Sequence, residues 1–289
     1  MNIVLKCKDL VKSYGKIDAV NYVDLDLEEN RIYGLLGRNG AGKTTLLNMI
    51  YGNIFKDNGE ICVFGEELNK GQTPKNICYV KEEARFFDSV RLAELLDIAA
   101  HFYKNWDKEF AGDLLKTFEL NPQKKFRKLS RGMKSMVNII IGLASRAPLT
   151  LFDEPTLGLD ALMRERFYSI LLEDFAENPR TIFISTHLID EVAKVIEYIY
   201  IIDSGKIILE NNIDDIRGKA LLLSGKREIL NELSAGKNVL NRESYGDIEI
   251  IAIYDNLSSE ERKKAEKNNI SIEGISLQKF FAYYVGGVN

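Results

Sequence analysis

The sequence predicts an α/β protein built on a parallel sheet and followed by a small α+β appendage. Two observations carry this. Strand-length apolar runs alternate with helix-spaced segments over the first two thirds of the chain, which implies a parallel sheet with ligands at the carboxyl ends of its strands. After about Ile213 the pattern changes to short strands interleaved with short helices. At 289 residues the chain has room for one large and one small unit.

The elements follow in order. Ile3 to Leu10 and Val20 to Leu27 read as strands, and the apolar run Ile32-Tyr-Gly-Leu-Leu36 feeds directly into a glycine-rich loop. Beyond the loop, Thr45 to Tyr51 suits a helix packed on one face. Gly59 to Gly65 and Ile77 to Val80 look like short strands, while Val90 to Tyr103 and Lys108 to Phe118 carry apolar residues at helical spacing, so a helical segment interrupts the sheet. A second apolar helix, Met133 to Ser145, leads to the buried-strand pattern Leu149-Thr-Leu-Phe-Asp153, which Thr181-Ile-Phe-Ile-Ser-Thr186 repeats. The tail offers strands at Ala220–Leu223, Val239–Asn241, Ile248–Tyr254 and Ile270–Ile272, and a helix at Ser258–Lys267 with a serine cap and Glu261 three residues on. The domains read as 1–214, with a helical subdomain at about 88–146, and 215–289.

Hydrophobic content of 45% and charged content of 28% are ordinary for a globular chain, which excludes disorder and fibrous repeats. A net charge of -4 argues against a dedicated nucleic-acid binder, which needs clustered Lys and Arg. Cys7, Cys62 and Cys78 are odd in number and lack CxxC spacing, and read as reduced thiols of a cytoplasmic protein. No apolar run approaches the roughly 20 residues needed to cross a bilayer. A membrane role must therefore come through a partner chain.

In Gly37-Arg38-Asn39-Gly40-Ala41-Gly42-Lys43-Thr44-Thr45, glycines let the backbone curl its N–H groups toward phosphates, and the following helix adds its positive end. This is the pattern of a P-loop. Lys43 is expected to reach the β- and γ-phosphates of ATP, Thr44 to ligate Mg²⁺, and Thr45 to touch the α-phosphate. A P-loop needs a second, acidic strand: Asp153 ends one and would anchor the metal, while Glu154 would face the attacking water as general base.

Leu129-Ser130-Arg131-Gly132-Met133 resembles the Leu-Ser-Gly-Gly-Gln signature of the ATP-binding cassette (ABC) ATPases. The resemblance extends to Asp153-Glu-Pro-Thr-Leu-Gly-Leu-Asp160, to the switch histidine in Ser185-Thr186-His187, and to Tyr14 as the aromatic residue on which adenine stacks. The ordered set covers residues 1 to about 212. It implies a P-loop NTPase fold of the ABC type, with antiparallel β and helical subdomains. It also implies a head-to-tail homo- or heterodimer in which Ser130, Arg131 and Gly132 of one subunit complete the ATP site of the other, and in which Asp160, in the loop after the acidic strand, is a nucleotide-binding residue. The expected partner is a separate transmembrane permease subunit, and the location the cytoplasmic face of the membrane.

Departures from the pattern are Glu82 where a metal-binding glutamine is usual, Arg131 and Met133 in the signature, and Gly158 where serine is usual. They resemble the exporter-type branch and leave Glu82 as a metal ligand. Phe86 and Phe87 would offer an apolar groove to the permease, with a place in the core as the alternative. A soluble assembly ATPase and an ATP-sensing module with little turnover are the competing functions. Chromosome ATPases are excluded because Thr45 to Lys128 is too short for a coiled-coil insertion, and His101 is expected to be structural.

Overall fold

The computed structural model describes residues 2–82 and 89–286. The chain runs through β1 (Ile3–Tyr14), β2 (Ile17–Glu28), β3 (Ile32–Leu36), α1 (Lys43–Ile50), β4 (Asn58–Val63), β5 (Glu66–Glu67) and β6 (Ile77–Val80). Next come α2 (Leu92–Phe102), α3 (Lys108–Thr117), α4 (Arg131–Ala144), β7 (Leu149–Asp153), α5 (Ala161–Glu177) and β8 (Thr181–Thr186). The remainder is α6 (Ile189–Val192), β9 (Tyr198–Asp203), β10 (Lys206–Asn212), α7 (Ile213–Lys219), β11 (Ala220–Lys226), α8 (Arg227–Ser234), β12 (Val239–Tyr245), β13 (Ile248–Tyr254), α9 (Ser259–Lys267), β14 (Ser271–Gly274) and α10 (Leu277–Gly286).

Two compact units result, one of residues 1–187 and 194–210, the other of residues 188–193 and 211–289. In the first, a six-stranded sheet has the order β10-β9-β3-β8-β7-β6, with β9, β3, β8, β7 and β6 paired in parallel. Every residue of β3, β7 and β8 is buried, the composition a parallel strand covered on both faces requires. These strands point their carboxyl ends toward the glycine loop, Asp153 and His187, which follow β3, end β7 and follow β8 respectively. A four-stranded antiparallel sheet, β2-β1-β4-β5, shares a core with the main sheet, where Leu5, Leu25 and Ile61 join Leu35, Leu151 and Phe183.

The helix expected from Met133 begins earlier, at Arg131, because Ser130 is its N-cap and accepts a hydrogen bond from the Met133 N–H at 3.3 Å. A four-residue ionic cluster ties α3, α4 and α5 together. Arg146, just past α4, pairs with Asp107, the N-cap of α3, at 3.0 Å and with Asp174 of α5, which also binds Arg180 at 2.8 Å. Arg180 and Asp174 are buried. Arg146 adopts a left-handed backbone (φ 48°), which costs a non-glycine residue local energy and is held by these pairs.

The second unit forms the sheet β12-β13-β11-β14 with all pairs antiparallel, and its chain order is the split β-α-β-β-α-β motif. Period-two burial puts Leu221 and Leu223 of β11 and Ile251 and Ile253 of β13 against Leu230 and Leu233 of α8 and Ala265 of α9. Helix α6 clusters with this unit. Asp190 accepts from the Gln278 N–H at 3.0 Å, and Arg217 donates to the Ala193 carbonyl at 2.8 Å.

Candidate functional site

The loop between β3 and α1 can only be built with glycine at two points. Gly42 has φ 112°, and a Cβ there would lie 2.2 Å from the Ala19 carbonyl; at Gly37 a Cβ would lie 2.6 Å from the Ile202 carbonyl. Gly40 is also left-handed, with nothing within 4 Å of its would-be Cβ, so that side of the loop is open. Helix α1 has neither a side-chain cap nor an acid in its first turn, which keeps its positive end available to an anion. Lys43 is buried, donating to the Gly37 carbonyl at 2.8 Å and the Arg38 carbonyl at 3.3 Å. Arg38 and Asn39 at the crest are exposed, Ala41 is buried and Thr45 partly so.

Asp153 is buried and accepts from Ser185 at 2.5 Å, from Tyr79 at 3.3 Å and from the Thr44 side chain. Burial pushes its carboxyl above the usual range, against the pull of the Ser185 and Thr44 hydrogen bonds, and neighbouring Glu154 adds to the rise. A dication beside it would reverse that shift. Among the described residues, no three His, Cys, Asp or Glu side chains form a metal-binding group. The donor set instead suits Mg²⁺, which takes one or two carboxylates, a hydroxyl and the phosphates of its nucleotide. Burial and the adjacent Asp153 likewise raise the Tyr79 phenol, so it stays a donor.

Glu154 is the most constrained residue of the site. It is buried with a left-handed backbone (φ 46°), and its N–H donates to the Ser185 carbonyl at 3.0 Å. Its Oε2 lies 2.9 Å from His187 Nδ1 and 3.3 Å from the Thr186 hydroxyl. Among the described residues its Oε1 accepts no hydrogen bond, and it sits 3.4 Å from Lys43 Nζ. One oxygen is thus clamped, and the other faces the lysine of the glycine loop.

The fold brings Lys43, Thr44, Asp153, Glu154 and His187 together. The sequence-expected residues outside the glycine loop have other neighbours. Tyr14 ends β1, half exposed, with Lys12 Nζ 5.6 Å from its ring centre. Asp160 is the N-cap of α5, accepting from the Met163 N–H at 2.9 Å. Ser130 and Arg131 are exposed at the start of α4, and Gly132 packs so tightly that a Cβ would meet the Gly158 carbonyl at 2.7 Å. Glu82 pairs with Arg131 at 3.3 Å. Phe86 and Phe87 lie outside the described residues. His101, expected to be structural, has Nδ1 2.7 Å from the Asp97 carbonyl oxygen of its own helix. Sequence reasoning missed Tyr79, because a tyrosine inside a short apolar strand reads as core.

An apolar groove of about 770 Å³ opens beside the helical segment, lined by Tyr51, Ile77, Ile98, Phe102, Tyr103 and Ile141. Phe102 is 79% exposed. No helix among the described residues is long and apolar enough to cross a membrane.

Comparison with known proteins agrees with this fold. The ABC transporter family model matches residues 20–157. The ABC transporter ATP-binding protein YtrB of Bacillus subtilis is 31% identical over 74% of both chains, and the bacitracin transport ATP-binding protein BcrA of Bacillus licheniformis is 30% identical over 99% of both. A solved ATP-binding subunit of an ABC transporter superposes with a TM-score of 0.67 at 28% identity, covering 74% of this chain and 92% of its own. The dimeric post-hydrolysis structure of the ATP-binding cassette MJ0796 with ADP and Pi shares the fold, with a TM-score of 0.63 at 24% identity over 72% of this chain and 98% of its own. The chain belongs to the ABC transporter ATP-binding proteins, as an ATP-binding and ATP-hydrolysing subunit.

Proposed function

We propose that this subunit drives export through a separate transmembrane permease, closing head to tail on a second ATPase subunit around Mg·ATP. The arrangement of Glu154 supports the hydrolysis that powers this cycle, with one oxygen clamped by His187 and the other, among the described residues, without a hydrogen bond and ion-paired with Lys43. Lys43 and the loop N–H groups from Gly37 to Thr45 bind the phosphates, and Tyr14 stacks on the adenine. Thr44, Asp153 and Glu82 would hold Mg²⁺, which would neutralise phosphate charge. Glu154 Oε1 accepts a proton from the water that attacks the γ-phosphorus, as the bond to the β-phosphate oxygen breaks. His187 fixes the carboxylate that does so.

Ser130 and the Arg131 and Gly132 N–H groups belong to the facing subunit's site, where the start of α4 offers a second phosphate cradle, and Asp160 lies in the loop between the two sites. The apolar groove with Phe102 at its edge receives a short helix of the permease, which holds the subunit at the cytoplasmic face of the membrane. The relatives support a transport role: the bacitracin transport ATP-binding protein BcrA aligns over 99% of both chains, and the lantibiotic transport ATP-binding protein SrtF of Streptococcus pyogenes is 32% identical over 73% of this chain. The test is purification of the tagged chain from native membranes. A membrane protein held stoichiometrically, and ATP hydrolysis by the complex, are expected; a chain recovered alone sinks the permease reading.

A further inference from the structure

Two positions that depart from the ABC pattern, Glu82 and Arg131, meet beside Gly158. Arg131 Nη2 donates to Glu82 Oε1 at 3.3 Å. Its aliphatic stem lies over Gly158, where a Cβ would stand 3.1 Å from Arg131 Cγ and 3.4 Å from Cδ. Gly158 also has φ 84°, so a serine there would be strained and would crowd the arginine. The arginine stem thus lies where a side chain at position 158 would crowd it. Below it, Gly132 touches the Gly158 carbonyl, and Ser135 Oγ donates to the Leu157 carbonyl at 2.8 Å, which fixes the start of α4 on the loop after β7.

Helix stability does not explain this arginine. It occupies the first position of α4, where the positive end of the helix disfavours a cation. Its stem covers no core, since the side chain is 61% exposed. What the position offers is a fork of donors between Ser130 and Gly132, the groups expected to grip phosphate, and a guanidinium matches phosphate bidentately. In the single chain that fork is occupied by Glu82. Glu82 in turn stands three residues beyond Tyr79, whose hydroxyl reaches Asp153.

We propose that Arg131 is a phosphate-binding residue for ATP held by the facing subunit, and that Glu82 of its own chain masks it until Mg·ATP binds beside Asp153. The proposal rests on the head-to-tail reading above. Binding draws the Glu82 carboxylate to the metal and releases Arg131, so occupancy of one site prepares the signature that completes the other. The mask is easily opened, because an exposed ion pair shifts an equilibrium by about fivefold at most. A terminal phosphate, with its greater charge, outcompetes a single carboxylate.

The test uses the full chain carrying Glu154→Gln, followed by sedimentation over a series of ATP concentrations in Mg²⁺. Adding Arg131→Gly should weaken ATP-driven dimerisation about tenfold or more, and Arg131→Lys should restore part of it. Glu82→Gln keeps a metal-binding oxygen but removes the mask, and should move dimerisation to lower ATP by up to about fivefold. In the double variant with Arg131→Gly the Glu82→Gln effect should vanish, since nothing is left to mask. Arg131→Gly dimerising as tightly as its parent would overturn the phosphate role, and a Glu82→Gln shift that persists without Arg131 would overturn the mask. Either result leaves the head-to-tail reading standing if the parent dimerises. A parent that stays monomeric in Mg·ATP overturns that reading and the proposal with it.

Discussion

Glu154 shows how a backbone can prepare a side chain for chemistry. A non-glycine residue at φ 46° is held by the Ser185 carbonyl, and His187 fixes one carboxylate oxygen at 2.9 Å, so little rotation is left to the other. Glu154→Gln keeps the shape and loses the proton acceptor. Hydrolysis should fall by about 10²–10⁴-fold while ATP binding is kept, read by phosphate release beside nucleotide affinity. His187→Ala removes only the clamp, so its loss of hydrolysis should be smaller, and Glu154→Gln/His187→Ala should be no slower than Glu154→Gln alone. Additive losses would mean that His187 acts independently of Glu154.

At the scale of elements, two features separate stability from function. Asp174 is buried between Arg146 and Arg180, so Asp174→Ala strands the buried Arg180 guanidinium and leaves Arg146 with Asp107 as its carboxylate. Urea unfolding should register a loss of about 3–5 kcal/mol. Asp107, at the rim of the same cluster, has its carboxyl raised by burial but lowered by more through the Phe110 N–H and Arg146, so it titrates below the usual carboxylate range. A depressed carboxyl stabilises the fold above its ordinary value of about 4 and loses that contribution as the pH falls through the folded value. Asp107→Asn should therefore flatten the acid side of the stability curve. Phe102 is the opposite case, an aromatic ring 79% exposed on α2. Phe102→Asp should leave ATP hydrolysis by the isolated subunit unchanged and abolish recovery of the permease, measured by co-purification.

For the whole molecule, two units with separate cores should unfold in distinguishable steps. Only the first carries the phosphate loop. Mg·ATP at about 100 times its dissociation constant should stabilise that unit by about 2.7 kcal/mol, and chelating the metal should remove most of the gain. In calorimetry of the Glu154→Gln chain, one transition should move and the other should stay. Equal displacement of both would mean that the units unfold as one.

By itself the sequence determined everything that depends on local order: the strand-to-loop-to-helix context of Gly37 to Thr45, the acidic end of β7, the histidine after β8 and the change of pattern near Ile213. Those features are read from neighbouring residues, because hydrophobic periodicity and glycine spacing are short-range signals. The clamp of His187 on Glu154 spans 33 residues, and the Tyr79 hydroxyl reaches Asp153 across 74. Distances of that kind are set by strand order in the parallel sheet, which no local pattern encodes. The pairing of Glu82 with Arg131 is the clearest instance. In the sequence they are two unrelated departures from a family pattern, and only tertiary structure, by packing the start of α4 against Gly158, makes them partners.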